Sequence, residues 1–238
     1  MAIGKRANFD LIYSKYKAMG KGNVRLTQSS LFLTKDIDPT KSTYDFDVLE
    51  NQTQTLQPDE IRLNINDEHI IQSLGVFLYG TYSKITEGGV VTELGKQLFS
   101  YVPYELGYIT KSTSAPIRLK NLYAGTLKIA VNNIVYLEKW DTRRSEKVTR
   151  TQFTNHNAGI SDGTSPSNDF SLDGMVKFEP LIVLSGAKKN DITIRLPQAI
   201  EGGVFSWIND QDEECFITIN KIAVRTFGLL AQNAAAFQ

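Results

Sequence analysis

Beyond Arg25 the apolar residues recur at every second position in short runs, and the spacings of three and four that mark a helix disappear. Ile192, Ile194 and Leu196 alternate with Asp191, Thr193 and Arg195, and Ile61, Leu63 and Ile65 alternate with Glu60, Arg62 and Asn64. Successive side chains of a strand point to opposite faces, so each run predicts a half-buried strand with its isoleucines and leucines inward. Further strands are predicted at 26–34, 44–49, 70–82, 96–102, 125–131, 134–139, 147–153, 176–185, 204–208 and 215–229. Asn132-Asn133, between two apolar runs, predicts a two-residue hairpin because asparagine tolerates positive φ; one longer strand is the alternative. Polar stretches at 84–95, 103–116 and 155–174 are too long for tight turns and predict surface loops.

This pattern narrows the fold. At 238 residues the chain can bury a sizeable core. The lack of interior helices excludes βαβ architectures, and the lack of a 40-residue period excludes propellers and solenoids. An all-β jelly-roll β-sandwich remains, with a single roll preferred over a compact double one. The double roll is suggested by a weak likeness between Phe46…Pro58-Asp59-Glu60-Ile61-Arg62-Leu63 and Phe178…Asn190-Asp191-Ile192-Thr193-Ile194-Arg195-Leu196, although the second stretch begins too late to complete a roll of equal size.

The first 23 residues differ from this body, which spans 24–238. Phe9, Ile12, Tyr13, Tyr16 and Met19 fall at helical spacing, with Asn8 as a candidate cap and Gly20 and Gly22 as stops, so a short N-terminal amphipathic helix is expected. The whole chain is formally neutral, with 26 basic and 26 acidic side chains, yet the charge is polarised. Lys5, Arg6, Lys15, Lys17, Lys21 and Arg25 face only Asp10 in the first 25 residues, a surplus of five positive charges that the body balances. Such an arm suits contact with phosphate, with anionic lipid or with a neighbouring subunit; packing against the body with its charges in water is the plainer reading.

Catalytic chemistry leaves no trace in the sequence. Gly88-Gly89 and Gly202-Gly203 lack the residues that make a phosphate loop, and they read as turns. His69 and His156 lie in polar, loop-like sequence and are read as surface or hydrogen-bonded histidines, and Cys215 as a small buried hydrophobe. The acidic cluster Asp210, Asp212, Glu213 and Glu214 lacks the glycine and distal glutamate of a calcium loop. No catalytic residue, cofactor, metal or small-molecule substrate is therefore expected. The stretch Lys139–Arg150, with Trp140, mixes both charge signs, which fits an ion-pair face better than a nucleic-acid clamp. No apolar leader follows Lys5-Arg6, so secretion is not expected.

The basic arm, the β body with long loops, Pro58-Asp59-Glu60-Ile61-Arg62-Leu63-Asn64 leading into Ile70-Ile71-Gln72-Ser73-Leu74-Gly75-Val76-Phe77-Leu78, and Phe178-Glu179-Pro180-Leu181-Ile182-Val183-Leu184-Ser185-Gly186 leading into Ile192-Thr193-Ile194-Arg195-Leu196-Pro197 together carry a likeness. In this layout the chain resembles jelly-roll major capsid proteins of tailless icosahedral bacteriophages. The resemblance implies a structural virion protein that assembles with itself, as trimers or higher, into an icosahedral shell. It would be made in the host cytoplasm, with its basic arm turned to the genome, an internal lipid membrane or a neighbouring subunit, and with other virion proteins as further partners. Phe9, Tyr13, Tyr16, Tyr101, Tyr104 and Phe237 are the aromatic candidates for intersubunit contact, since aromatic rings bury much area at low entropic cost. The competing expectation is a carbohydrate-binding or receptor-binding β-sandwich module, with Trp140, Trp207 and the tyrosines as its platform.

Overall fold

The computed structural model describes residues 3–20, 24–50, 58–85, 89–102, 109–110, 115–146, 174–208 and 214–235. Its elements are α1 (Ile3–Ala18), β1 (Arg25–Asp36), β2 (Thr43–Phe46), β3 (Glu68–Ile85), β4 (Val91–Phe99), β5 (Ile109–Thr110), α2 (Ala115–Lys120), β6 (Thr126–Val131), β7 (Ile134–Asp141), β8 (Val176–Ser185), β9 (Asn190–Arg195), β10 (Gly203–Ile208) and β11 (Glu214–Gln232). The strands form two antiparallel sheets, and the protein is an all-β sandwich.

Two long strands, β3 and β11, make the spine of the larger sheet and pair from Cys215↔Lys84 to Ala231↔Glu68. Near the latter end β1 flanks β11 and β8 flanks β3, giving the order β1-β11-β3-β8. Towards the other end β10 replaces β1 and β4 replaces β8, with β5 beyond β10. The smaller sheet has the order β2-β9-β6-β7. The core lies between the sheets, where Leu31, Leu74, Val76, Ile219 and Val224 of the larger sheet share one cluster with Phe46, Leu127, Ile129, Ile192 and Ile194 of the smaller.

Two bulges keep the long strands in phase with this core. Between Ile219 and Lys221 the pairing skips a residue of β11, so Ile217, Ile219, Ile222 and Val224 all face inward although their numbers change parity. A second shift, at Phe227/Gly228 in β11, sets Gln72 of β3 outside the pairing, turning Ile71 inward and Ile70 outward.

The predicted hairpin forms. Val131 pairs with Ile134, and Asn132 and Asn133 have φ of 53° and 66°. Both central residues of a tight turn with right-handed strand twist need this conformation. Asn133→Val is expected to lose about 1–2 kcal/mol, the cost of forcing a Cβ-branched residue left-handed, whereas Asn133→Gly should be neutral or slightly stabilising. Paired thermal melts check this; equal loss in both variants would place the cost in the asparagine amide instead.

Three expectations are corrected. Residues 61–65 form no regular strand and make only the isolated bridges Phe32↔Ile61 and Leu49↔Leu63. Their predicted facing is largely inverted: Glu60 and Arg62 are buried with Leu63, while Ile61 and Ile65 are half exposed. The reason is that the two opposite charges satisfy one another inside, with Arg62 Nη2 donating to Glu60 Oε2 at 2.7 Å. The described part of the polar stretch 84–95 is largely strand, because β3 runs to Ile85 and β4 starts at Val91, paired from Leu78↔Phe99 to Ile85↔Val91. Asn8 lies within α1 and does not cap it. The strand expected at 147–153 and nearly all of the loop at 155–174 lie outside the described residues.

Candidate functional site

Helix α1 lies against the outer face of the larger sheet. Its Ile12 and Tyr16 pack with Val24, Ile70, Leu229, Ala231 and Ala234, a cluster separate from the main core. Tyr16 donates its phenol proton to Glu68 Oε2 at 2.7 Å. Burial, that hydrogen bond and the Glu68 charge all raise the Tyr16 pKa, which keeps the phenol a donor. Gly20, at φ 75°, ends the helical segment, and its N–H bonds to the Lys17 carbonyl. Beside this contact a groove of about 910 Å³ remains between α1 and the sheet, lined among others by Leu11, Met19, Leu181 and Tyr136 and with Lys15 and Lys188 also in its wall.

The arm residues divide accordingly. Lys15, Lys17 and Arg25 are exposed. Lys5 and Arg6 belong to α1, but their side chains lie outside the described residues, as does all of Lys21. Among the aromatics, Phe9 and Tyr13 are exposed on α1, whereas Tyr16 is buried on the sheet. Tyr101 is buried in the main core, with its ring 6.1 Å from that of Phe99 in an edge-on arrangement, so it is packed within the subunit. Tyr104 and Phe237 lie outside the described residues. Trp140 is also buried, 5.7 Å from Phe178, which removes it from any surface platform; the side chain of Trp207 is not among those described.

His69 is the hydrogen-bonded histidine of the two alternatives, on a strand and not in loop-like sequence. It sits on β3 with no exposed surface, facing inward, with Nε2 2.9 Å from Thr226 Oγ1. Burial holds its pKa down to about 4. An unfolded histidine titrates near 6.5, so between these values the unfolded chain binds a proton that the native chain refuses. Stability is therefore complete above about pH 6.5 and falls as the pH drops toward 4, by about 3 kcal/mol in all. Urea midpoints at about pH 7.5 and pH 4.5 should show this fall, and His69→Gln should flatten it; an equal slope in the variant would remove His69 as its source. Cys215 is buried, and no group of three metal-ligating side chains exists among the described residues. His156 lies outside them.

A second feature of the outer face was missed by the sequence reading. On the outer side of β1, β11, β3 and β4, a pocket of about 380 Å³ is lined by Phe32, Asp59, Ile61, Tyr79, Lys96, Gln97, Leu98 and Arg225. The Phe32 and Tyr79 rings meet edge to face at 5.3 Å. Lys96 Nζ contacts Asp59 Oδ2 at 2.6 Å, which lowers the Asp59 pKa and raises that of Lys96. Tyr79 also hydrogen-bonds Asp59. Arg225 lies 4.8 Å from the Phe227 ring centroid, and its Nε is buried without a partner. Burial pulls its pKa below the ordinary value. The available signal was a single cation inside the apolar run Ile222-Ala223-Val224-Arg225.

Comparison with protein-family models, with curated proteins and with solved structures finds no match to this chain.

Proposed function

We propose that this protein is a structural shell subunit: a single eight-strand jelly roll, with an N-terminal helical arm, that assembles with copies of itself into a virion capsid. The observation that carries the reading is the placement of exposed large apolar side chains on α1 and on two hairpins, with Tyr136 of one hairpin sharing the α1 groove with Leu11 and Met19. Leu11 stands out on α1 and Met19 just past its end, Val90, Val91 and Leu94 on the β3–β4 hairpin, and Ile134, Val135 and Tyr136 on the β6–β7 hairpin. Clustered apolar exposure marks contact surfaces, and a closed shell needs several per subunit.

Strand order supports the roll. Consecutive strands β1, β2 and β3 alternate between the sheets, as do β7, β8, β9 and β11, giving β1-β11-β3-β8 over β2-β9-β6-β7. This order fits a reading of two four-stranded sheets wrapped as one jelly roll, with β4, β5 and β10 as extensions of the larger sheet. Fold alone does not fix function, so the shell reading stands or falls on assembly.

Light scattering after size-exclusion chromatography and negative-stain microscopy of the purified full chain test it. Trimers, larger rings or particles are expected, and a chain that stays monomeric at high concentration across buffers overturns the proposal. Removing residues 1–23 should leave the β body folded and reduce assembly. Loss of the β spectrum in that truncation would assign α1 to the fold rather than to the contacts.

A further inference from the structure

A guanidinium withdrawn from water without a counter-charge is costly, and a protein retains one where a ligand supplies the anion. Arg225 meets it at one atom: the side chain is half-buried, and its Nε is withdrawn from water without a partner. Among the described residues its Nε has no hydrogen-bond partner and its guanidinium makes no ion pair; it packs over the Phe227 ring. The nearby cation Lys96 is already matched by Asp59. Arg225 is thus the uncompensated charge in the lining of the outer-face pocket.

The remaining walls restrict the shape of the anion. Phe32, Tyr79, Leu98 and the half-exposed Ile61 present apolar surface, which suits a ring packed by its face. Asp59, Lys96 and Gln97 supply a carboxylate, an ammonium and an amide, which suit several hydroxyl groups around that ring. The volume, about 380 Å³, holds one ring with a few waters. A bare phosphate would leave the apolar wall unused, and an aromatic acid would leave the polar trio unmatched.

We propose that this pocket binds an acidic monosaccharide unit, a hexuronate or a sialate, with its carboxylate on Arg225, its ring against Tyr79 and Phe32, and its hydroxyls on Asp59, Lys96 and Gln97. The site is formed within one chain and does not rest on the shell reading. A shell subunit would carry it as a glycan-recognition site on its surface.

The test is calorimetric or NMR titration of the full chain with D-glucuronate, D-galacturonate and N-acetylneuraminate, with D-glucose and acetate as controls. At least one sugar acid should saturate in the millimolar range or below, and at least about tenfold more tightly than either control, because both the charge and the ring contribute. Arg225→Gln should weaken binding by about tenfold or more with the melting transition unchanged. Should that variant unfold, Ile61→Asp provides the check, since it adds a negative charge at a half-exposed wall position and should weaken binding in a folded protein. Equal binding of acetate would overturn the ring component, and no binding of any sugar acid would overturn the site. If Arg225→Gln instead abolishes self-association while the parent binds no sugar acid, the anion is a carboxylate of a second copy and the proposal fails. None of these results depends on whether shells form.

Discussion

Glu60→Ala is expected to destabilise the fold by about 3–5 kcal/mol, the range found when one member of a buried ion pair is removed. The Glu60 and Arg62 side chains are 2% and 3% exposed. One carboxylate oxygen of Glu60 accepts from both the backbone N–H and the hydroxyl of Thr34 on β1, each at 2.9 Å, and the other accepts from Arg62. The substitution removes the counter-charge beside a buried guanidinium and, with it, two bonds that tie residues 58–63 to the sheet edge. The pair need not be stabilising relative to apolar residues of the same shape. Replacing both members, as in Glu60→Leu with Arg62→Met, should therefore recover most of the loss. Urea unfolding of the two variants decides the matter; a loss under about 1 kcal/mol for Glu60→Ala would mean that water reaches Arg62 freely.

The second large effect is expected at Gly228, where alanine should cost about 3 kcal/mol or more, against the usual gain when glycine in a strand is replaced. A Cβ at this position would collide with the Ile70 carbonyl oxygen and would also meet the Ile70 carbonyl carbon at 2.9 Å and the Gln72 nitrogen at 3.2 Å. These are backbone atoms of β3, a strand held between β11 and β8, so they cannot yield as a side-chain tip would. Gly228 has no positive φ, which makes the cost one of space alone. Gly20→Ala separates the two causes, since Gly20 has φ 75° with nothing within 4 Å of a built Cβ, and should lose only about 1 kcal/mol. Equal, small losses at both positions would show that the β3 bulge relaxes to admit a methyl group.

Both sites show where sequence reading stopped. Alternation located β1, β3, β6, β7, β8, β9, β10 and β11 to within a few residues, because a half-buried strand writes its period into the chain. It placed 61–65 on the wrong face because period two is symmetric: the pattern says that alternate residues differ, and only the tertiary partners Thr34 and Arg62 say which set goes inside. The polar stretch 84–95 reads as a loop in sequence because β4 carries polar residues on a sheet extension with little to bury them. The polar neighbours Asp67 and Glu68 leave open whether His69 is a surface or a hydrogen-bonded histidine; the structure turns Glu68 to Tyr16 on one face and His69 to Thr226 on the other.

The sequence by itself determined the class: an all-β body, a polarised basic segment at one end, a hairpin at Asn132-Asn133 and no recognisable catalytic motif. These are properties of neighbours along the chain, namely side-chain alternation, the φ tolerance of asparagine and local charge. The tertiary structure alone decided the sheet order, the phase shifts at Asn220 and Gln72, the burial of Glu60 with Arg62, and the meeting of Arg225 with Phe32, Tyr79 and Lys96. Each depends on strands far apart in sequence pairing side by side. A period of two leaves the partner unspecified, and the partner is what turns an unpaired arginine in a strand into one wall of a pocket.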